Sequence, residues 1–289
     1  MSETVVSLLQ YSVAASPNET AEKAEQMVRE AAADGAQIVC LPELCFTPYF
    51  CYEINSAHFS LAISREDPLL QRFGGLAAEL GIVLSVPFFE KAAKGLYFNS
   101  MIVYDADGST CGVYRKMHIP DDPGFYEKYY FTPGDGGFKV FKTRYGNLGT
   151  LICWDQWFPE AARLTALMGA DLLIYPTAIA TLEEETEQDR DRFHHAWKTI
   201  QQSHAIANGV NVAAINRCGT ENGSTFWGRS FISGPFGETL AEGGGGEEII
   251  TASVDFDGLE EHRQIWPFFR DRRIDAYHDI EKRFNDTST

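Results

Sequence analysis

The stretch that decides the fold runs from residue 148 to residue 160 and reads Leu148-Gly149-Thr150-Leu151-Ile152-Cys153-Trp154-Asp155-Gln156-Trp157-Phe158-Pro159-Glu160. Its first five residues are mostly apolar and β-prone, which predicts a short buried strand. Pro159 suits the first turn of a helix, and Glu160 beside it favours the positive end of the helix dipole. We therefore predict a strand, a sharp turn and a helix, with Cys153 at the turn.

The residues that follow extend this unit. Ala161, Leu164 and Met168 recur at helical spacing, with Leu167 on the same side, so we expect them to form the apolar face of the helix. The next apolar run, 171–175, predicts another strand. A nucleophile between a strand and a helix faces a crevice, where the backbone N–H groups after it can stabilise an oxyanion. The alternative is an ordinary buried cysteine.

Strands and helices alternate along the rest of the chain. Strand-like runs at 4–10 and 37–41 enclose a helix that Asn18 is expected to cap. A second helix is predicted to begin at Asp67-Pro68 and to end at Glu79 or Leu80, before Gly81. Further strands are predicted at 82–89, 97–104, 110–115, 138–142, 210–215, 230–233 and 248–255. The acidic segment 178–192 is expected to be a solvated loop before a helix that begins at Phe193. We predict one α/β domain over residues 1–289, with a largely mixed sheet on each side of the core.

Charge and composition restrict the function. The 289 residues include 24 Lys and Arg against 41 Asp and Glu, a net charge of −17. This charge disfavours nucleic acid and anionic membranes as partners and weakly favours a cationic small molecule. No run is apolar enough to span a bilayer, and Met-Ser-Glu-Thr does not resemble a signal peptide, so we expect a cytoplasmic protein. The six cysteines and seven histidines lack metal-ligand spacing, which predicts reduced thiols and no metal.

Three side chains of complementary chemistry follow predicted strands. They are Glu43, Lys116 and Cys153. Residues at strand ends of an α/β sheet can converge although they are far apart in sequence. A carboxylate can accept the thiol proton, an ammonium can lower the thiol pKa, and the thiolate is a nucleophile. Taken singly, Glu43 and Lys116 could equally form a surface ion pair.

Three motifs extend this argument to a family. Leu41-Pro42-Glu43, Tyr114-Arg115-Lys116-Met117-His118-Ile119-Pro120 and Ile152-Cys153-Trp154-Asp155 closely resemble, in order and spacing, the signatures of the nitrilase superfamily of carbon–nitrogen hydrolases. The resemblance covers nearly the whole chain. It implies a four-layer α-β-β-α sandwich, a Glu–Lys–Cys triad and a second glutamate at Glu127, with no metal or organic cofactor.

Within the superfamily, the chain most resembles amidases that act on a carbamoylated diamine, through residues 119–128, 131–135, 152–163 and 175–179. The resemblance therefore implies a small cationic carbamoyl or amide substrate. The substrate-binding residues that we expect are Trp154, Asp122, Thr177, Ala178 and Glu183. For the distal ammonium the candidate carboxylates are Asp122, Asp155 and one of the residues 183–185. Ala180 departs from the glycine expected in plant enzymes and puts the substrate, rather than the chemistry, in doubt.

Two other functions remain open from the sequence. An acidic carbamoyl, amide or nitrile substrate would need an arginine, for which Arg163, Arg190, Arg192 and Arg217 are candidates. The second alternative is a binding protein that retains the fold but lacks activity. The intact Glu43, Lys116 and Cys153 argue against it. Segment 262–273 is the most basic and aromatic part of the chain and would expose apolar surface alone. In the family that the chain resembles, this region helps to build the dimer, so the resemblance implies that the tail, about 260–289, contributes to a homo-oligomer, a dimer or larger.

Overall fold

The structure is a computed structural model that describes residues 3–14 and 16–285. Within these ranges the strands are β1 Thr4–Gln10, β2 Ile38–Cys40, β3 Val83–Ala93, β4 Leu96–Tyr104, β5 Thr110–Arg115, β6 Lys139–Thr143, β7 Gly146–Thr150, β8 Leu172–Thr177, β9 Ala180–Leu182, β10 Asn211–Asn216, β11 Cys218–Glu221, β12 Ser224–Trp227, β13 Phe231–Ser233, β14 Thr239–Glu242 and β15 Glu248–Val254. The α-helices are α1 Pro17–Ala33, α2 Pro68–Leu80, α3 Glu127–Tyr130, α4 Pro159–Leu167, α5 Glu187–Asn208 and α6 Gly258–Ile265.

Two six-stranded sheets form the centre of the molecule. The first has the strand order β15-β1-β2-β3-β4-β5, and the second has the order β14-β13-β10-β8-β7-β6. Both are mixed: β1, β2 and β3 run parallel in the first sheet, as do β7, β8 and β10 in the second, and the outer strands are antiparallel. The prediction of a mixed sheet on each side of the core is confirmed. A small third sheet, β11-β12-β9, adjoins them.

The two large sheets pack face to face, and helices cover their outer faces. Val6 and Leu8 of the first sheet share one apolar core with Leu172, Ile174 and Val212 of the second. The helices α1 and α2 pack on the first sheet, and α4 and α5 pack on the second. Burial of apolar side chains between the facing sheets, and between each sheet and its helices, drives this stacking. The four-layer α-β-β-α arrangement is therefore confirmed.

Local sequence explains where the first two helices begin and end. Asp67 accepts a hydrogen bond from the N–H of Leu69 and caps α2, and Gly81 ends it in a left-handed conformation at φ 65°. The prediction that Asn18 caps α1 was wrong. The cap is Ser16, because Pro17 occupies the first helical position and leaves Asn18 inside the first turn.

The buried face of α4 also differs from the prediction. Leu164, Leu167 and Met168 are exposed, at 49%, 41% and 53% of their surface. The buried residues of the helix are Ala161, Ala162, Thr165 and Ala166. The helix lies so close to the second sheet that a side chain at Gly149 would collide with Thr165, so only small residues fit on this face.

The acidic segment 178–192 is more ordered than predicted. Residues 180–182 form β9, which pairs with β12. Thr186 caps α5 through a reciprocal contact with Asp189, so the helix begins at Glu187 and not at Phe193. The loop between these elements is only a few residues long. Across the described ranges 3–14 and 16–285, no helix combines the length and apolarity that a membrane crossing requires.

Candidate active site

The fold brings three strand ends of the two facing sheets to one place. Glu43 follows β2, Lys116 follows β5 and Cys153 follows β7. The Nζ atom of Lys116 lies 2.8 Å from Oε1 of Glu43, and both side chains are fully buried. Cys153 lines the same cavity as Glu127, whose carboxylate contacts Lys116, so all three strand ends meet in one cluster. The structure thus brings these predicted site residues together.

Glu127 joins the same cluster from the start of α3. Its Oε2 lies 2.6 Å from Nζ of Lys116, and its Oε1 accepts a hydrogen bond from the Tyr49 hydroxyl at 3.1 Å. Burial raises the pKa of Glu127 to about 7, although the charge of Lys116 opposes this rise. Burial lowers the pKa of Lys116, but the charges of Glu127 and Glu43 outweigh it and the pKa is raised well above its ordinary value. Lys116 is therefore held as a buried ammonium.

The two oxygens of Glu43 have different surroundings. Oε1 accepts from Lys116 at 2.8 Å and from the side-chain amide of Asn99 at 2.7 Å. Among the described residues, Oε2 accepts only from the backbone N–H of Ala178, at 2.8 Å. A carboxylate oxygen can accept two hydrogen bonds, so Oε2 retains room for a proton. The Ala178 amide also favours the thiolate of Cys153, so carboxylate and sulfur share one neighbour.

Cys153 occupies a sharp elbow between β7 and α4. Its φ is +43°, a left-handed conformation that non-glycine residues rarely adopt. Burial raises the pKa of its thiol well above the ordinary value, the charge of Glu43 adds to this, and Lys116 opposes it. The expectation that the ammonium lowers the thiol pKa therefore describes only one contribution, and desolvation outweighs it. The resting side chain is a thiol that requires a base.

Glycine at position 134 lets a second segment close over Lys116. The backbone N–H of Gly134 donates to the Lys116 carbonyl at 2.8 Å. A Cβ at Gly134 would collide with the carbonyl oxygen of Arg115. The close approach of the two backbones therefore requires glycine and holds Lys116 from behind.

A cavity of about 490 Å³ opens onto Cys153. Its apolar wall includes Pro120, Phe125, Trp154, Trp157, Ile179 and Leu182. Three carboxylates, Asp122, Glu127 and Glu185, also line it, and no Lys or Arg does so among the described residues. The volume suits a small molecule, and aromatic walls with acidic groups suit a cation.

The predicted substrate-binding residues divide into two groups. Trp154, Asp122 and Ala178 line the cavity. Thr177 does not line it, because its hydroxyl is buried and donates to Gln156 at 3.1 Å. Glu183 does not line it either and points to solvent, whereas Glu185 of the same acidic run faces the cavity. The geometry of the turn before α5 decides which of these acids faces inward.

The remaining charged candidates lie outside the cavity. Both carboxylate oxygens of Asp155 are occupied by backbone and side-chain donors. Arg163 stacks over Phe269, Arg190 donates to Thr181 and Arg192 pairs with Asp189. Arg217 is fully buried behind Glu43. None of these four arginines can meet an acidic substrate in this arrangement.

Sequence reasoning missed several residues of the cluster. Asn99 and Tyr49 carried no local signal, because each acts through a partner distant in sequence. Trp157 lay within the quoted motif and could have been named. Glu185 was one of the candidates 183–185 for the distal ammonium, but the sequence did not show which of the three faces the cavity. Within residues 3–14 and 16–285, no three His, Cys, Asp or Glu side chains are grouped as metal ligands.

Fold and motifs together define a carbon–nitrogen hydrolase. The chain belongs to this family, because the family model described as carbon-nitrogen hydrolase matches residues 5–264. The resemblance to the nitrilase superfamily is thereby confirmed. The chain is 46% identical to an N-carbamoylputrescine amidase from Arabidopsis thaliana over 95% of this chain and 94% of the relative.

Two further proteins show similarity over almost their full length. A protein from Francisella tularensis named citrullinase is 43% identical, over 98% of this chain and 100% of its own. The crystal structure of a carbon–nitrogen hydrolase from Helicobacter pylori superposes with a TM-score of 0.95 at 46% identity, over 98% of this chain and 100% of that one.

Proposed function

We propose that the protein hydrolyses N-carbamoylputrescine to putrescine, ammonia and carbon dioxide, with Cys153 as the nucleophile. The observation that carries the proposal is the buried cluster in which Lys116 contacts Glu43 and Glu127 beside Cys153, at the end of an acidic cavity. The N-carbamoylputrescine amidases that resemble the chain support the same substrate. Thiol, base and oxyanion donors suffice for acyl transfer without a metal or an organic cofactor.

In the first step Glu43 takes the proton of the Cys153 thiol through its Oε2 atom, and the sulfur attacks the ureido carbon. The carbonyl π electrons move to oxygen and form a tetrahedral oxyanion. The Lys116 ammonium and the Trp154 backbone N–H stabilise this charge, and one such donor contributes about 3 kcal/mol. The raised thiol pKa makes the base necessary, because little thiolate forms without it.

The collapse of this intermediate breaks the C–N bond. Its electron pair goes to the leaving amine, which takes the proton held by Glu43, and a carbamoyl thioester remains on Cys153. Water then gives a proton to Glu43 and attacks the thioester, and the sulfur leaves and recovers that proton. The released carbamic acid breaks down to ammonia and carbon dioxide. Glu127 orients Lys116 and the substrate nitrogen from its position 2.6 Å from Nζ.

Charge at the cavity wall supports a cationic substrate. Glu185 is oriented by the Leu182 N–H, which donates to its Oε2 at 2.7 Å. Its second oxygen and the Asp122 carboxylate have no hydrogen-bond partner among the described residues, so both are available to an ammonium. Trp154 and Trp157 add aromatic faces that attract a cation. We assign the distal amine of putrescine to this wall.

Citrulline is the second candidate substrate, because one relative is named citrullinase. It carries the same ureido group but adds a carboxylate. The cavity presents Asp122 and Glu185 and, among its described lining residues, no cation to pair with that carboxylate. Like charges opposed in a desolvated site cost several kcal/mol, so the diamine is preferred.

We also propose that the protein is cytoplasmic and forms a homo-oligomer. All six cysteines are free thiols, in keeping with a reducing compartment. Exposed apolar side chains on α4 and in the tail, among them Leu164, Met168 and Trp266, support a second copy as the partner.

A substrate panel tests the proposed function. The wild type and Cys153→Ala are assayed for ammonia release from carbamoylputrescine, citrulline, carbamoyl-β-alanine, glutaramate and a nitrile. We expect carbamoylputrescine to have the highest kcat/KM, about a hundredfold above carbamoyl-β-alanine, because the acidic wall repels a carboxylate. Higher kcat/KM for an acidic compound, or turnover by Cys153→Ala, would overturn the proposal.

A further inference from the structure

The carboxylate of Asp155 has four hydrogen-bond donors although it lies outside the cavity. Its Oδ1 accepts from the backbone N–H of His118 at 3.0 Å and from Nδ1 of the same residue at 2.7 Å. Its Oδ2 accepts from the Ile152 N–H at 2.9 Å and from the Tyr114 hydroxyl at 2.7 Å. The side chain is fully buried. A buried carboxylate with every acceptor position occupied is rigid.

These donors come from the two segments that carry Lys116 and Cys153. Tyr114 and His118 stand two positions before and two positions after Lys116. Ile152 immediately precedes Cys153, and Asp155 itself follows the elbow. One carboxylate therefore ties the end of β5 in the first sheet to the elbow after β7 in the second sheet.

The donors are themselves held in place. Burial, and then the charge of Asp155, raise the pKa of Tyr114 well above its ordinary value, so the hydroxyl keeps its proton and donates. The His118 ring stacks on Phe158 with centroids 3.7 Å apart and planes 6° apart. Phe158 directly precedes α4, so the stack also fixes the helix side of the elbow.

The strained conformation of Cys153 needs such support. A non-glycine residue at φ +43° persists only where its neighbours hold it. The Asp155 N–H donates to the Ile152 carbonyl at 3.0 Å, and the Asp155 carboxylate accepts from the Ile152 N–H, so both backbone polar groups of Ile152 bond to Asp155. The side chain and the backbone of Asp155 therefore both hold Ile152, the residue before the thiol.

From this geometry we infer that Asp155 is a positioning residue that sets the distance between the Cys153 sulfur and the Lys116 ammonium across the two sheets. Asp155 touches no substrate. It affects turnover through the Cys153 sulfur, whose attack forms the oxyanion, and the Lys116 ammonium, which stabilises it. This inference rests on the roles of Cys153 and Lys116 in the proposed function. Asparagine at this position would keep the shape but present an NH2 group to donors, so two of the four contacts would be lost.

Asp155→Asn tests the inference, with Asp171→Asn as its matched control. Asp171 accepts from the backbone and the side chain of Asn147 at 2.9 and 2.8 Å, and joins β7 to β8 at the opposite end of the same sheet. We expect Asp155→Asn to lower kcat about a hundredfold with KM within about twofold, as misplacement by about 1 Å does. The control should stay within about threefold of the wild type in both constants.

The alkylation rate of Cys153 by iodoacetamide gives a readout that a merely structural role would not move. Only the thiolate reacts, so a sulfur that has moved away from Lys116 should react about tenfold more slowly near pH 8, with its pH profile displaced upwards. Circular dichroism confirms that the variant is folded. Should Asp155→Asn not fold, the double variant Tyr114→Phe/His118→Phe removes two of the four donors and keeps the stack on Phe158.

The outcomes separate the two proposals. The positioning role would be overturned if Asp155→Asn, or the double variant, kept the wild-type alkylation profile and a kcat within about threefold of the wild type. Equal losses in Asp155→Asn and Asp171→Asn would do the same, because the effect would then be general. Turnover by Cys153→Ala would instead overturn the proposed function, and the alkylation profile of Asp155→Asn would still decide the position of the sulfur.

Discussion

The guanidinium of Arg217 donates to the backbone carbonyl of Glu43 at 2.7 Å, across 174 positions of sequence. It also donates to the carbonyl of Leu44 at 3.0 Å, where the backbone adopts φ 49°. Arg217 pairs with Glu221, which in turn accepts from the Tyr49 N–H at 2.7 Å. A buried cation therefore holds the loop that carries Glu43 and Tyr49, and holds it through backbone atoms.

Removal of this clamp should cost both stability and activity. We expect Arg217→Met to lower the free energy of unfolding by about 3 kcal/mol, because it leaves buried carbonyls without donors and Glu221 without its partner. The folded fraction should also lose kcat, since Glu43 is no longer fixed. Urea unfolding and steady-state kinetics measure the two effects. Arg192→Met, at an exposed position, is the control and should unfold like the wild type.

The pKa of Glu127 predicts a pH dependence. Burial raises it from an ordinary 4.5 to about 7, so the folded protein binds this proton more tightly than the unfolded chain. The contribution to stability is present below about pH 4.5 and is lost as pH rises through about 7.

We expect kcat/KM to fall below pH 7 as Glu127 is protonated and its contact with Lys116 weakens. Glu127→Gln should be about a hundredfold slower and should lack this limb of the profile, because an oxyanion donor is misplaced at every pH. A limb near pH 7 that persists in the variant would assign it to another group.

Glu185 and Glu183 form a natural pair for testing the distal site. Glu185 lines the cavity, whereas Glu183 faces solvent. We expect Glu185→Gln to raise KM for carbamoylputrescine about tenfold with a smaller effect on kcat, since it removes one charge partner of the ammonium. Glu183→Gln should leave both constants unchanged. An unchanged KM in Glu185→Gln would remove this residue from the substrate site.

Gly134 should be intolerant of a side chain. Its Cβ would overlap the Arg115 carbonyl, so Gly134→Ala must displace the end of β5 and with it Lys116. We expect a loss of about 2 kcal/mol in stability, as for other overpacked sites, and a fall in kcat. Thermal denaturation and kinetics measure both. Gly75→Ala is the comparison, because a Cβ there meets no atom within 4 Å. Equal behaviour of the two variants would show that the close approach at Gly134 is relaxed easily.

The exposed apolar residues of α4 predict an interface between copies of the chain. We expect the wild type to be a homo-oligomer and Leu164→Glu/Met168→Glu to dissociate, because two charges would have to be buried. Light scattering after gel filtration measures the mass. Ile54→Glu is the control, since Ile54 is as exposed but lies elsewhere. A monomeric wild type, or an unchanged mass in the double variant, would contradict the prediction.

Much of the fold follows from local patterns. The start of α2 was predicted to the residue and its end to within one residue, because Asp67 and Gly81 carry the capping chemistry themselves. The strand–elbow–helix unit around Cys153 was likewise visible, since apolar runs and proline act on neighbouring residues. The buried face of α4 was not, because helical spacing shows which residues share a side and not which side meets the sheet. Leu164 and Met168 could therefore be assigned to the wrong face.

The residues of the site likewise divide into those that the sequence predicts and those that only the tertiary structure identifies. The sequence alone determined that Glu43, Lys116 and Cys153 were the residues to examine, through three motifs in order, and the family resemblance added Glu127. Only the tertiary structure decided that Glu185 and not Glu183 faces the cavity, and that Asp155 and Arg217 hold the framework behind it. Spacing along the chain reports burial and strand ends, which are local properties. The partner of a buried charge depends instead on how two sheets and their connecting loops pack, and residues more than a hundred positions apart supply it.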